Sequence, residues 1–284
     1  MVIAYRPETT AQAVEYLARG DVAIFAGGTD IMVGDKPVCR SFKGEPSAML
    51  FIDAIDELKT LSDNSKTITV GAGLSLTELE NDHRVPKLLR DSILQVAAPG
   101  VRNCATMGGN VCNASPAADT LPILYLLDTQ VVVSSVNGKI TFPIEQFIKG
   151  PGITQLTSSD LLTQLVIPKT EFSHTFYRKV GTRCANALTK VSIVGAANIQ
   201  NGLLSDWRVA FGAVGPTVVR DQQIESLLIG KPVAWLKQHH NIQSIIEAYK
   251  AKISPLSDQR STATYRLRTS LKLLEKWLTE LSDG

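Results

Sequence analysis

Adjacent glycines at Gly27-Gly28, and again at Gly108-Gly109 about eighty residues later, constrain this 284-residue chain more than any other feature. A glycine pair carries no Cβ, so it permits backbone conformations and close approaches that other residues forbid, and it exposes consecutive N–H groups. The first pair lies in Ala26-Gly27-Gly28-Thr29-Asp30 and the second in Thr106-Met107-Gly108-Gly109-Asn110. Each run adds a small hydroxyl and a carboxylate or amide, groups that hydrogen-bond an oxygen-rich ligand. Val22-Ala23-Ile24-Phe25-Ala26 reads as a short buried strand that delivers the chain into the first pair, and open α/β sheets place ligands at such strand ends. Together the runs describe a cradle for a dinucleotide pyrophosphate. Neither is the G-x-G-x-x-G fingerprint, so a Rossmann nicotinamide site is not supported.

The rest of the chain predicts a mixed α+β protein. Ala13, Val14 and Leu17 recur at helical spacing behind a Thr9 or Thr10 cap, and Gly20 stops that helix. Ala48 to Asp53 and Ile68 to Gly73 read as strands, and Leu76 to Glu80 as a helix running towards Leu88-Leu89. A linker near residues 55–66 separates two lobes. Ser92 to Ala98 reads as helical until Pro99-Gly100 breaks it, and the second glycine pair follows as a loop. Thr120 to Leu127 suits a helix with Pro122 in its first turn. Val131 to Phe142 reads as a hairpin with a primed turn at Asn137-Gly138, and Leu161 to Ile167 as a strand ended by Pro168. Strand-like runs follow at 176–180, 191–197 and 207–214, with a turn at Asn201-Gly202. Helices at Trp235 to Ala251 and Ser261 to Leu281 finish the chain. A separate C-terminal α+β domain is expected to begin near residue 170.

Charge excludes some partners. Lysine and arginine total 29 against 27 aspartates and glutamates, a net charge of +2 that gives no electrostatic reason to expect nucleic acid or an anionic membrane. No run approaches the roughly eighteen apolar residues a membrane helix needs, and the first residues lack a signal-peptide pattern, so the cytoplasm is the expected location. Cys39, Cys104, Cys112 and Cys184 form no C-x-x-C pair. Without metal or disulfide spacing they read as reduced thiols, and no metal site is expected. His83, His174, His239 and His240 also lack ligand spacing.

The flanks of the glycine pairs carry a resemblance. Phe25-Ala26-Gly27-Gly28-Thr29-Asp30-Ile31 and Thr106 through Asp119 resemble the two flavin-binding motifs of the FAD-binding medium subunit of molybdenum hydroxylases, the xanthine dehydrogenase and carbon monoxide dehydrogenase family. Further similarities follow in order: Pro151-Gly152 to Pro168, Gly212-Ala213-Val214-Gly215-Pro216-Thr217-Val218-Val219-Arg220, and Ser257 to Arg266. The resemblance implies a two-subdomain FAD-binding domain of the vanillyl-alcohol-oxidase type over 1–170, with subdomains at about 1–55 and 56–170. A C-terminal α+β domain of antiparallel sheet with helices follows over 171–284.

It also implies cofactor contacts from Ala26, Gly27, Gly28, Thr29 and Asp30, where backbone N–H groups can form an anion nest without a lysine. Thr106, Met107, Gly108, Gly109 and Asn110 would close over the pyrophosphate. Asp119 would accept a hydrogen bond from a cofactor hydroxyl, Leu162 would touch the flavin edge, and Lys179 would stabilise the reduced ring. Ile24, Phe25 and Ile31 would give apolar cover, or serve as ordinary core. A lysine on a strand is also commonly a solvated residue. No residue of the chain is assigned to catalysis.

The implied role is an oxidoreductase flavoprotein subunit that takes electrons one at a time from a [2Fe–2S] partner and passes them to NAD or another acceptor. The molybdenum-cofactor subunit would carry the hydroxylation chemistry. A self-sufficient FAD oxidase or dehydrogenase is the alternative within enzymology; it would need a catalytic base or arginine cluster that the sequence does not offer. A non-catalytic nucleotide-binding assembly module is the other, disfavoured by the intact motifs.

Overall fold

The computed structural model describes residues 3–33, 46–183 and 186–283, so Cys39, Cys184 and nearly all of the polar stretch from Lys36 to Pro46 lie outside the described residues. Two compact units emerge: Met1–Ser115 with Asp128–Lys169, and Pro116–Leu127 with Thr170–Gly284. The elements open with β1 (Ile3–Tyr5), α1 (Thr10–Leu17), β2 (Val22–Phe25), β3 (Ala48–Phe51), β4 (Leu61–Asp63), β5 (Thr67–Gly71), α2 (Leu76–Asn81), α3 (Lys87–Ile93), α4 (Pro99–Cys104) and α5 (Met107–Asn113). They continue with α6 (Leu121–Leu126), β6 (Gln130–Ser135), β7 (Gly138–Pro143), α7 (Ile144–Phe147), β8 (Ile148–Gly150), β9 (Ile153–Thr154) and β10 (Leu161–Pro168). The last are β11 (His174–Val180), β12 (Val191–Gln200), β13 (Leu203–Gly212), α8 (Gln222–Ser226), α9 (His239–Lys250) and α10 (Ala263–Asp283). Among the described residues, no helix is long and apolar enough to cross a membrane.

The first unit holds a three-stranded parallel sheet, β1-β3-β2, and a five-stranded antiparallel sheet, β4-β5-β10-β6-β7. The Thr9 side chain caps α1 by accepting from Gln12 N at 3.2 Å, and Gly20 at φ +81° reverses the chain behind it. Ala13, Val14 and Leu17 pack with Val22, Leu50, Ile55 and Leu161 in one core, each large aliphatic worth about 1.5–3 kcal/mol of burial. The expected linker at 55–66 holds a 3-10 turn at Asp56–Lys59 and strand β4.

Helical expectations shift in this unit. The run from Leu76 does not continue to Leu88-Leu89: α2, with a Ser75–Glu78 capping box, ends at Asn81, and α3 starts after Pro86. Ser92 to Ala98 is not a helix ended by Pro99-Gly100. Helix α3 stops at Ile93, Ala97 turns at φ +43°, and Pro99 opens α4. Proline at the first helical position forfeits only an N–H that would have no helical partner, so it starts the helix it was expected to break. The second glycine pair is likewise no loop but the first turn of α5, capped by Thr106. The hairpin turn is also displaced. Ser135 pairs with Gly138, which leaves Val136 and Asn137 as the turn residues and puts the left-handed conformation at Gly138, φ +115°.

The second unit is built on the antiparallel sheet β11-β12-β13. Asn201 and Gly202, at φ +52° and +74°, form the primed turn that joins its two long strands. Alternation sends Val191, Ile193, Trp207, Val209 and Phe211 to one face, where α9 and α10 cover them. The helix expected from Trp235 is divided here: a 3-10 turn spans Val233–Lys237 and α9 begins at His239. Trp277 of α10 stacks on Phe176 with centroids 5.5 Å apart and lies directly over Gly195, where a Cβ would stand 2.4 Å from its Nε1. On the opposite face α6 lies against Gly212, whose Cβ would stand 2.9 Å from Pro122 Cγ.

At the start of α6 a buried polar node faces the same sheet. Lys179 Nζ donates to Asp119 Oδ2 at 2.7 Å, and Thr189 Oγ1 donates to Asp119 Oδ1. Burial raises the Asp119 carboxyl above its ordinary range, against the opposing pull of the Lys179 charge and both hydrogen bonds. Burial, and then the Asp119 charge, push the Tyr177 phenol well above its ordinary value.

Two stability predictions follow from this packing. Gly195→Ala forces a methyl into the Trp277 ring and is expected to destabilise the chain by about 1–3 kcal/mol in denaturant unfolding. Lys179→Met strands a buried carboxylate and is expected to cost about 3–5 kcal/mol at neutral pH, with most of the loss recovered in the Lys179→Met/Asp119→Asn double variant. Burial holds the folded carboxyl above its ordinary value, and loss of Lys179 raises it further, so the deficit is full where the carboxyl is ionised. It should shrink as pH falls from neutral towards the ordinary carboxylate value of about 4, when unfolding is followed at several pH values.

Candidate functional site

A cavity of about 290 Å³ opens in the first unit, close to the lower bound of roughly 300 Å³ for small-molecule sites. One side is the loop after β2. Gly27 cannot be any other residue there: its Cβ would fall 1.8 Å from the carbonyl oxygen of Cys104, which ends α4. Gly28, at φ +70°, would drive a Cβ to 2.3 Å from Cζ of the Phe25 ring. The loop is therefore pressed between a helix end and an aromatic ring. Pressed there, it spends none of its leading amides: the N–H groups of Gly27, Gly28 and Thr29 donate to no described residue. All three residues line the cavity. Three successive donors without acceptors among the described residues are the groups from which a backbone anion nest is built.

The opposite wall is the first turn of α5, and its chemistry differs. Met107 N donates to Leu74 O at 3.0 Å, Gly108 N to Ala72 O at 2.9 Å, and Asn110 N to Thr106 O at 3.0 Å. Gly109 N donates to the capping Thr106 Oγ1, also at 3.0 Å. These amides are occupied, so the second motif contributes shape and side chains. Gly108 lets α5 sit on Ala72, where a Cβ would come within 2.6 Å of the Ala72 Cβ, while a Cβ on Gly109 would meet only Thr106 Oγ1 at 2.9 Å.

The structure brings Ile24, Ala26 to Ile31, Thr106, Gly108, Gly109, Asn110 and Leu162 onto this one cavity. Phe25 and Met107 do not line it. Phe25 supports Gly28 from below and packs on Phe51 with centroids 5.0 Å apart, and Met107 is fully buried. Asp119 and Lys179 belong to the second unit, where each is the other's ion-pair partner.

Leu161 and Leu162, neighbours in β10, both line the cavity, and a register shift between Leu162 and Gln164 breaks the strand alternation beside them. The sequence reading missed Cys112 and Asn113 of α5, and Thr154, Thr157, Ser158 and Asp160 around the β9–β10 loop, all of which line the cavity. Asn113 stood inside the second motif and was available to it. The β9–β10 loop carries no glycine pair or periodicity, and only the fold brings it to the site.

Comparison with known proteins agrees in two segments. Residues 1–170 match the model of the FAD binding domain in molybdopterin dehydrogenase, and residues 176–281 that of the CO dehydrogenase flavoprotein C-terminal domain. The chain is 26% identical to a xanthine dehydrogenase FAD-binding subunit of Escherichia coli O157:H7, covering 97% of this chain and 94% of the other. It is 28% identical to the glyceraldehyde dehydrogenase medium chain of Sulfolobus acidocaldarius, covering 95% and 94%. Carbon monoxide dehydrogenase from Hydrogenophaga pseudoflava shares the fold at a TM-score of 0.87 and 23% identity, over 98% of this chain and 96% of that one. Quinoline 2-oxidoreductase from Pseudomonas putida 86 does so at 0.87 and 22%, over 100% and 98%. A donor-lined cavity in a unit of this fold, matched end to end by such relatives, identifies the chain as a member of the molybdopterin dehydrogenase FAD-binding family and an FAD-binding oxidoreductase subunit.

Proposed function

We propose that this chain is the FAD-carrying electron-transfer subunit of a molybdenum hydroxylase complex, receiving electrons from the [2Fe–2S] clusters of a partner and passing them to NAD or another acceptor. The observation that carries the reading is the row of uncommitted N–H groups at Gly27, Gly28 and Thr29 inside the cavity. The residues fit the cofactor. A pyrophosphate presents acceptors only, and these amides are donors only, held in place by contacts that leave no room for a Cβ. When bound, FAD supplies the exchange between single electrons and a hydride pair.

The chain's own residues do the rest by positioning. Gly27, Gly28 and Thr29 would hold the pyrophosphate, the Thr29 hydroxyl adding a further donor. Gly109 would let the ligand lie against the start of α5, where the Asn110 side chain reaches the cavity. Leu161, Leu162, Ile24 and Ile52 give an apolar wall that excludes water. Support for partner chains comes from the relatives: one is named a medium chain, and solved carbon monoxide dehydrogenases of this fold are described with molybdenum.

Two outcomes test the reading. Gly28→Ala should lower FAD affinity by about tenfold or more, because strain at φ +70° and the Phe25 ring displace the donor row. Flavin retained per chain after dialysis measures this, and retention equal to wild type would contradict the assignment. Anaerobically reduced protein should regain its oxidised flavin absorbance on addition of NAD⁺. If only an artificial one-electron acceptor restores it, the acceptor is not NAD.

A further inference from the structure

The cavity lining holds two chemically opposite groups of residues. One is the donor row of Gly27 to Thr29. The other is the β9–β10 loop, where Asp160 stands part-buried with its side chain divided between two tasks. Oδ2 is committed: it accepts from Thr157 N and from Thr157 Oγ1, each at 2.8 Å, which folds the loop into a compact turn. Oδ1 has no partner among the described residues, and Asp160 lines the same cavity as the donor row. A carboxylate accepts hydrogen bonds and repels phosphate, so this group favours a ligand portion that carries donors and no negative charge. Ser158 adds a hydroxyl, and Leu156 with Leu161 adds apolar surface for a planar base.

We propose that Asp160 is a specificity-determining residue that reads the adenosine half of the dinucleotide, through its ribose hydroxyls or exocyclic amine, and so makes the site select FAD over FMN. This rests on the flavin reading above, and it places Leu162, two residues further along, beside the adenosine half instead of at the flavin edge that the resemblance implies. FMN ends in a phosphate and offers nothing to Oδ1 beyond the pyrophosphate position, whereas the adenosine half of FAD supplies the donors. The Thr157 hydrogen bonds fix the carboxylate, so the preference is built into the loop before the ligand arrives.

The test uses the full chain stripped of flavin, with FAD, ADP and FMN titrated separately against wild type and Asp160→Asn. Asparagine keeps an acceptor for Thr157 N and so preserves the turn, which a thermal melt of the stripped protein checks. FAD and ADP affinities are expected to fall together by about tenfold while FMN changes less than about twofold. Equal losses for FMN and ADP, or unchanged FAD and ADP affinities, would overturn the proposal. Should the variant fail to fold, wild type alone decides: ADP must displace FAD at lower concentration than FMN does, and the reverse order refutes the assignment. Wild-type protein that takes up no FAD would instead defeat the flavin reading itself.

Discussion

The approach of Gly27 to the carbonyl of Cys104 is the contact on which the site depends. A missing Cβ there lets the loop after a parallel strand rest on the last turn of α4, closer than any side chain would allow. That contact ties the β1-β3-β2 sheet to the helical segment that carries the second motif. Beside it, the amides of Gly27, Gly28 and Thr29 find no acceptor among the described residues and keep donors that an ordinary turn would have spent internally. Gly27, Gly28 and Thr29 are part-exposed, so water can satisfy these amides until a ligand displaces it. The tightness of the Gly27 and Gly28 packing keeps the arrangement in place.

Sequence patterns disclosed what local chemistry determines. The Thr9 cap, the Gly20 stop and the apolar run from Val22 each depend on neighbours within a few residues, and each takes the expected form. Pro99-Gly100 shows the limit. Proline is a breaker inside a helix and an opener at its first turn, and the choice depends on whether Ala97 can turn at positive φ, which tertiary contacts decide. Arg102 supplies those contacts, donating to Val96 O and Ala97 O while paired with Glu80 at 2.7 Å. The site divides in the same way. Its glycine loops are contiguous motifs and could be read directly. Asp160 and Thr154 enter through a loop defined by its place beside β10, and no local pattern marks them.

Several residues that carry the family resemblance act in the framework. Arg266, buried in α10, donates to Lys190 O and Ala213 O and holds both oxygens of Asp258 at 2.8 Å. Ala213 sits at φ +62°, so this arginine fastens a strained backbone at the end of β13. Arg220 works alike, bridging Glu225 and the Tyr125 carbonyl. With Arg102, these form a recurring device: a buried guanidinium whose charge is met by a carboxylate and which also donates to carbonyls where regular structure ends. Such a clamp needs fixed residue types without touching any ligand, which is why motif similarity alone overstates the size of a binding site.

That device also decides how the cavity attracts an anion. The described arginines of the interior are spent on carboxylates and carbonyls, and no lysine or arginine lines the cavity among the described residues. The near-neutral chain, at +2, supplies no broad field either. On the proposed reading, the described residues would bind an anion through short-range backbone dipoles, which act at contact distance and depend on shape more than on charge. A lysine would have served any phosphate within reach of a flexible side chain. Fixed amides instead accept only an anion whose other parts fit the walls. On that reading, the packing that makes Gly27 irreplaceable would also be the source of the site's selectivity.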